Sequence, residues 1–410
     1  MNSTDLMELE NKYGAHNYHP LPVVLDRGEG VFVWDVEGKK YYDFLSAYSA
    51  VNQGHCHPKI INTLVEQAQK LTLTSRAFYN SRLGEYERFV TEYFGYEKVL
   101  PMNTGAEAVE TTLKLCRKWA YEKKGLAENT AQIVVCENNF HGRTTTIVSF
   151  SVDPDAYTNY GPYTPGFIVI PYNDVDALEK VLNGNNNIAG FLVEPIQGEA
   201  GAYVPDVGYL KKCYELCNQH NVLFIADEVQ TGIARTGKLL ACDYENVHPD
   251  ILILGKALSG GAYPVSAVLS SNEIMDVFHP GQHGSTFGGN PLAAAVAISA
   301  LEVVKDENLA ENAFTLGEIF RDELRMVCNN SRIASFVRGK GLLNALVINN
   351  EGHKNLAWDI CLKLLENGLL AKPTHTNIIR FAPPLVITRK QLLDCVEIIR
   401  NTIQAFEMIS

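Results

Sequence analysis

One lysine, Lys256, follows the β-branched apolar run of ILILGKALSGG, residues 251–261, just ahead of a glycine-rich turn. An ammonium at the rim of an apolar sheet is costly to keep charged, so its pKa falls and the free amine can attack a carbonyl carbon. A surface lysine after a strand has the same local sequence, so Lys256 alone decides nothing. A second apolar run, VLFIADEVQTG at 222–232, ends in Asp227. In doubly wound sheets ligands bind outside the carboxyl ends of the strands, which lets Asp227 and Lys256 face one crevice. A lysine that holds an aldehyde and a carboxylate that keeps a ring nitrogen protonated are what pyridoxal phosphate requires to act as an electron sink. An Asp that caps the next helix is the plainer alternative.

The phosphate of such a cofactor needs an anion site, and LPMNTGAEAVETTLKLCRKWA, residues 100–120, offers one. Thr104 and Glu107 fit a capping box. Val109, Leu113, Cys116 and Ala120 recur at helical spacing, so Asn103-Thr104-Gly105-Ala106 forms the helix entrance. Free N–H groups there attract anions, Gly105 lets the backbone come close, and the Thr104 hydroxyl adds a donor. An ordinary capped helix would look the same.

The elements that must position these groups alternate along the middle of the chain. QIVVCE at 132, GFIVIPY at 166, AGFLVEP at 189, VLFIADE at 222 and DILILGK at 250 read as buried strands of a mainly parallel sheet, with helices between them. Residues 1–48 form an N-terminal arm with a short hairpin, GVFVWDVEGKKYYDF, turning at Glu37-Gly38. Residues 49–297 form the large domain. From 298 to 410 the pattern shifts to a long helical stretch, RGKGLLNALVI, a helix near 353–367 and GLLAKPTHTNIIRFAPPLVI, a smaller α+β domain.

Composition narrows the function classes. With 410 residues and a net charge of −12 and no long basic run, nucleic acid and anionic membranes are poor partners, and a small-molecule enzyme is favoured. No apolar stretch reaches the roughly 20 residues that span a bilayer, and MNSTDLMELENK lacks a signal core or Arg-rich presequence, so the expected location is cytoplasmic. Nine cysteines, an odd number in apolar surroundings, read as free thiols. GIARTGKL at 232–239 misses a Walker A pattern at Leu239, and His55-Cys56-His57 has no further ligands at metal spacing, so neither a nucleotide nor a metal is expected.

Taken in order, the three chemical pieces resemble a fold-type I pyridoxal phosphate aminotransferase of the ω-amino acid subgroup, class III. The likeness runs from YGAHNYHPLPV at residue 13 through VNQGHCHPKI, LTSRAFYN, PMNTGAEA, VEPIQGEAG, LFIADEVQTG, LGKALSGG, GSTFGGNP and RGKGLL to IIRFAPPLVI, ending at 387. HNYHPLPV and YSAVNQGHCHP are similar to the ornithine-acting branch in particular. The resemblance implies a large domain on a mainly parallel seven-stranded sheet flanked by helices, and a homodimer whose active site is shared across the interface, Thr286 of GSTFGGNP reaching the neighbouring cofactor phosphate. It also implies roles. Lys256 holds the cofactor and shuttles protons, Asp227 faces the ring nitrogen, Thr104, Gly105 and Ala106 hold the phosphate, Phe140 stacks on the ring and Gln230 bonds its phenolic oxygen. Arg380 takes the α-carboxylate of glutamate or 2-oxoglutarate and is masked by Glu199 when ornithine is bound. Arg143 holds the far carboxylate, while Tyr18 and Tyr48 place ornithine's head group. For Glu199 and Arg380 a structural salt bridge is the plainer reading. His141 stands where members of that branch often carry tryptophan, a change expected to alter packing near Arg143 without changing the reaction. Other ω-aminotransferases, acting on 4-aminobutyrate or N-acetylornithine, are the near alternatives.

Overall fold

The computed structural model describes residues 1–408. Its N-terminal strands β1 (Leu25–Glu29), β2 (Phe32–Asp35) and β3 (Lys40–Asp43) form an antiparallel meander, with β2 and β3 turning through Gly38 at φ +85°. Seven strands build the central sheet: β4 (Lys98–Met102), β5 (Gln132–Cys136), β6 (Phe167–Ile170), β7 (Ile188–Val193), β8 (Leu223–Asp227), β9 (Ile251–Leu254) and β10 (Ser266–Ser270). Their spatial order is β4-β10-β9-β8-β7-β5-β6, and only β10 runs against its neighbours. The expected mainly parallel seven-stranded sheet is therefore present.

Strand alternation explains how both faces are covered. Ile133 and Val135 of β5 and Ile225 of β8 pack against Val109, Leu113 and Cys116 of the helix Gly105–Trp119. Val134 and Cys136, with Phe224 and Ala226, point the other way onto Leu178, Leu182, Tyr209 and Cys213 of the helices 175–184 and 209–219. Residues two apart share a face, so a continuous apolar run feeds two helical layers. The crevice at the carboxyl ends of β8 and β9 is left for polar groups.

The C-terminal part carries β11 (Ala334–Lys340), β12 (Leu343–Ile348), β13 (Leu369–Leu370), β14 (Lys372–Thr374) and β15 (Ile378–Phe381). β11, β12, β15 and β14 form one sheet, but β13 pairs in parallel with β3, so the N-terminal meander and the C-terminal part share a sheet. The expected boundary at 297/298 falls inside the helix Pro291–Asp306, which packs on the helices 58–70 and 83–94. That helix is apolar nearly all round because both of its sides are covered.

One close approach locks the large and small parts together, and a second braces the small part internally. Arg235 is fully buried; its guanidinium donates to the carbonyl oxygens of Leu342 (3.0 Å) and Pro383 (2.6 Å) and twice to Asn52 Oδ1. Nearby, a Cβ added at Gly317, inside the helix Leu309–Asn329, would stand 2.0 Å from the Gly341 carbonyl oxygen. Backbone cannot yield as a side chain can, so Gly317→Ala is expected to cost on the order of 3 kcal/mol. Gly84, in the helix Leu83–Phe94, faces open space, and Gly84→Ala is expected to stabilise by up to about 1 kcal/mol. Denaturant unfolding of the two variants checks the opposite signs.

Candidate active site

Lys256 opens a short turn two residues beyond the end of β9, with φ +44°, a left-handed conformation rare for a residue bearing a side chain. Burial pushes its ammonium pKa down, while the charges of Glu199 and Asp227 pull the other way and Arg380 adds to the lowering. Desolvation wins, which leaves an amine available as a base or nucleophile. Asp227 ends β8, and its carboxylate accepts from the Val229 N–H (3.0 Å) and shares a 2.7 Å contact with Nδ1 of His141. The His141 ring is wholly buried. Burial disfavours its charge, but the hydrogen bond and charge of Asp227, helped by Glu194, prevail and raise its pKa. The structure thus gives His141 a partner in Asp227, a role beyond the packing change expected near Arg143; no spacing in the sequence links positions 141 and 227.

A further carboxylate, Glu194, was not singled out from the sequence. It follows β7 directly and lines the same cavity of about 180 Å³ as Phe140, His141, Asp227, Gln230 and Lys256. Burial pushes its pKa up to about 7, and only the His141 charge and two N–H donors oppose this. Those donors are the backbone N–H groups of Phe140 (2.8 Å) and Gly198 (3.4 Å). The polar residue ending a wholly buried strand was the available signal, the same one that picked out Asp227.

The helix entrance behaves nearly as the sequence implies. Thr104 is the N-cap, with its hydroxyl accepting from the Glu107 N–H at 3.2 Å. Glu107, however, reaches past Thr104 to the N–H and side chain of Asn103, so the expected capping box closes one residue early. The first-turn N–H groups of Gly105 and Ala106 are those a helix cannot satisfy internally. Gly105 and Ala106 line the cavity with Lys256, and a second cavity of about 280 Å³ joins Thr104, Gly105 and Lys256. A Cβ at Gly105 would come within 3.0 Å of Val229. Two buried polar atoms of residues that line this space, Gln230 Oε1 and His141 Nε2, have no partner among the described residues. Buried polar atoms call for partners. An anion cradle, a lysine of lowered pKa, a carboxylate–imidazole pair and an aromatic ring together fit a phosphorylated pyridine aldehyde. Thr286 is exposed and does not line this cavity.

Of the residues expected to meet substrate, Glu199, Arg380 and Tyr48 lie together, Tyr18 shares a cavity with Tyr48, and Arg143 lies beside Phe140. Arg380, 2% exposed at the end of β15, donates to Glu199 Oε1 at 2.8 Å and to the Gly198 carbonyl at 3.2 Å. Burial raises the Glu199 pKa, but the charges of Arg380 and Lys256 and its hydrogen bonds lower it overall. Gln230 Nε2 bridges Glu199 and the Tyr48 carbonyl, each at 3.4 Å. Tyr48 sits with its ring 5.2 Å from the Arg380 guanidinium, and burial first, then Glu199, raises its phenol pKa. It lies in a run of four left-handed residues, Ser46 to Ser49, each costing about 1–2 kcal/mol relative to the right-handed form. Arg143 is exposed, 5.8 Å from the Phe140 ring centre. Tyr18, 72% exposed, joins Tyr48 in lining a larger cavity of about 550 Å³ under the N-terminal arm.

Glu194 supplies a pH test. Its folded pKa lies above the ordinary 4.5, so folding favours the protonated form and stability is lost as pH rises from about 4.5 through about 7. Glu194→Gln is expected to remove that loss. Melting temperatures measured at pH 5, 6, 7 and 8 should show the variant gaining on the wild type as pH rises; a constant difference would mean that Glu194 titrates normally.

Comparison with known proteins places this geometry. The family model described as aminotransferase class-III matches residues 13–403. A Drosophila ananassae protein named ornithine aminotransferase, mitochondrial, is 64% identical over 394 residues, 96% of this chain and 90% of that one. A crystal structure described as acetylornithine aminotransferase from Elizabethkingia anophelis is 67% identical, covers 99% of this chain and 100% of that chain, and has a TM-score of 0.92. The ornithine aminotransferase structure from Toxoplasma gondii is 50% identical with a TM-score of 0.98, covering 100% of this chain and 97% of that one. The chain belongs to the class-III aminotransferase family, whose members work with pyridoxal phosphate.

Proposed function

We propose that the protein transfers the δ-amino group of L-ornithine to 2-oxoglutarate, giving L-glutamate 5-semialdehyde and L-glutamate. The observation that carries this is the 2.8 Å pair between Glu199 and Arg380 beside Lys256. One pocket must accept a terminal amine with no adjacent carboxylate, then a keto acid that has one. A buried arginine covered by a displaceable carboxylate meets both demands. The curated D. ananassae relative, named for ornithine, supports the same reading.

Pyridoxal phosphate, bound at Lys256, supplies an aldehyde carbon and an electron-withdrawing ring. Lys256 Nζ, its pKa lowered by burial, would take the proton from the substrate's amine-bearing carbon and return it. Asp227 would hold the ring N–H, and His141, hydrogen-bonded to that carboxylate, fixes the carboxylate's direction. Phe140 would lie against the ring, and the amide of Gln230 would serve the phenolic oxygen. Gly105 and Ala106 offer N–H groups, and Thr104 its hydroxyl, to the phosphate. With ornithine bound, Glu199 neutralises Arg380, Tyr18 and Tyr48 receive the α-amino and α-carboxylate groups, and the δ-carbon reaches Lys256. With glutamate or 2-oxoglutarate, Glu199 yields Arg380 to the α-carboxylate and Arg143 takes the distal one.

The E. anophelis structure favours N-acetylornithine as a second reading. In the homodimer of this reading, Thr286, which is exposed and does not line its own chain's cavity, would serve the phosphate of the second copy. Among the described residues no helix is long and apolar enough to cross a membrane. All nine cysteines are free, which suits the cytoplasm or another reducing compartment; cell fractionation tests the cytoplasmic assignment.

Purified protein with pyridoxal phosphate and 2-oxoglutarate is expected to form glutamate 5-semialdehyde from ornithine faster than it turns over 4-aminobutyrate or N-acetylornithine. Preference for N-acetylornithine would replace the substrate and keep the reaction. Glu199→Ala unmasks Arg380 and is expected to shift the ratio of kcat/KM for glutamate over ornithine at least tenfold toward glutamate, about 1.4 kcal/mol, read from the two half-reactions.

A further inference from the structure

We propose that Asp43 is a positioning residue for substrate choice: it clamps residues 46–49 in their left-handed turn and so sets Tyr48 against Arg380. The inference rests on the ornithine reading above, in which Tyr48 receives the donor's head group.

Ser46, Ala47, Tyr48 and Ser49 have φ of 49°, 47°, 60° and 72°, and none is glycine. The hydroxyls of Ser46 and Ser49 are buried without partners among the described residues, so neither stabilises the turn by a hydrogen bond. A conformation this unfavourable persists only when its surroundings impose it. Asp43 does so at the entry. One carboxylate oxygen accepts from the N–H groups of both Leu45 and Ser46, each at 2.8 Å, which aims the chain into the turn. The other oxygen is held by His55 Nε2 at 2.7 Å, and the Asp43 charge also faces the buried Arg235.

Both ends of the turn are tied to the segment following Arg380. The Ala382 N–H donates to the Phe44 carbonyl, and the Leu385 N–H to that of Asn52, each at 2.8 Å. Between these ties the only freedom left is the path of residues 45–51, and Asp43 fixes its start. Tyr48 then carries its carbonyl to Gln230 and its ring over Arg380. Relaxation of the turn would move Tyr48 while Arg380 stayed anchored in β15. Ornithine binding would suffer, and the carboxylate grip on glutamate would not.

The test uses the full-length holoenzyme, following each half-reaction by the absorbance of the bound cofactor. Asp43→Ala is expected to lower kcat/KM for ornithine at least tenfold, chiefly through KM, and to change that for glutamate less than threefold. In a Tyr48→Phe background, Asp43→Ala should add little, because the two act through one contact. Equal losses with both amines, or effects that multiply in the double variant, would overturn the positioning role. Should Asp43→Ala fail to fold, Asp43→Asn keeps the volume and the acceptor but weakens the charge-assisted bonds; an ornithine-specific loss of about threefold is expected, and no such loss would overturn the proposal. Wild-type protein that ignores ornithine would instead remove the substrate reading itself.

Discussion

The buried guanidinium of Arg235 is the interaction on which the rest of the molecule hangs. It sits where three stretches of chain meet: Asn52 behind the left-handed turn, Leu342 at the start of β12, and Pro383 just past β15. Burial pushes its pKa down to about 9, with only Asp43 providing opposite charge nearby. Such a charge is tolerable because carbonyl and amide oxygens receive its N–H groups. The return is geometric. Arg380 comes from the C-terminal part, Tyr48 from the N-terminal part, and Lys256 and Asp227 from the central sheet. One cation with fixed donor directions brings their supporting segments into a common frame.

The site itself is a small set of opposed charges in a dry place. Lys256, Asp227, His141, Glu194, Glu199 and Arg380 each lose solvation, and four of them are answered by a neighbour rather than by water. Asp227 answers His141, and Glu199 answers Arg380. Lys256 has no close partner and falls toward neutrality, and Glu194 rises to about 7 for the same reason. The groups left without counter-charge are those that change protonation most readily, as proton-transfer chemistry requires. Glu194 also receives N–H groups from the two loops that carry Phe140 and Glu199, so one carboxylate ties those loops together.

Much of this was legible in the chain because continuous apolar runs can be buried only in a covered parallel sheet, and a polar residue at the end of such a run must lie at its carboxyl edge. That reasoning found β5 to β9, Asp227 and Lys256, and it would have found Glu194 had it been applied to AGFLVEP. The helix entrance at Thr104 was equally plain, because capping chemistry is local. What stayed hidden depends on contacts between distant segments. Nothing near His141 predicts Asp227, and nothing in SAYS predicts a left-handed turn imposed by Asp43. The helix Pro291–Asp306 lacks a polar face because both sides are covered, which blurred the boundary expected at 297/298. The pairing of β3 with β13 is likewise invisible until the two chain ends are brought together.

The placement of β4 at the edge of the large sheet has a consequence for how the chain is made. Its only strand partner is β10, some 160 residues later in the sequence. During translation the helix entrance at Thr104 therefore emerges early but waits, with β4 unpaired in front of it, until β10 has left the ribosome. Closing so long a loop is slow, and exposed strand edges invite aggregation in the interval. The cofactor pocket is thus begun near the start of synthesis and completed well past its midpoint, a delay that favours shielding of the nascent chain over rapid folding.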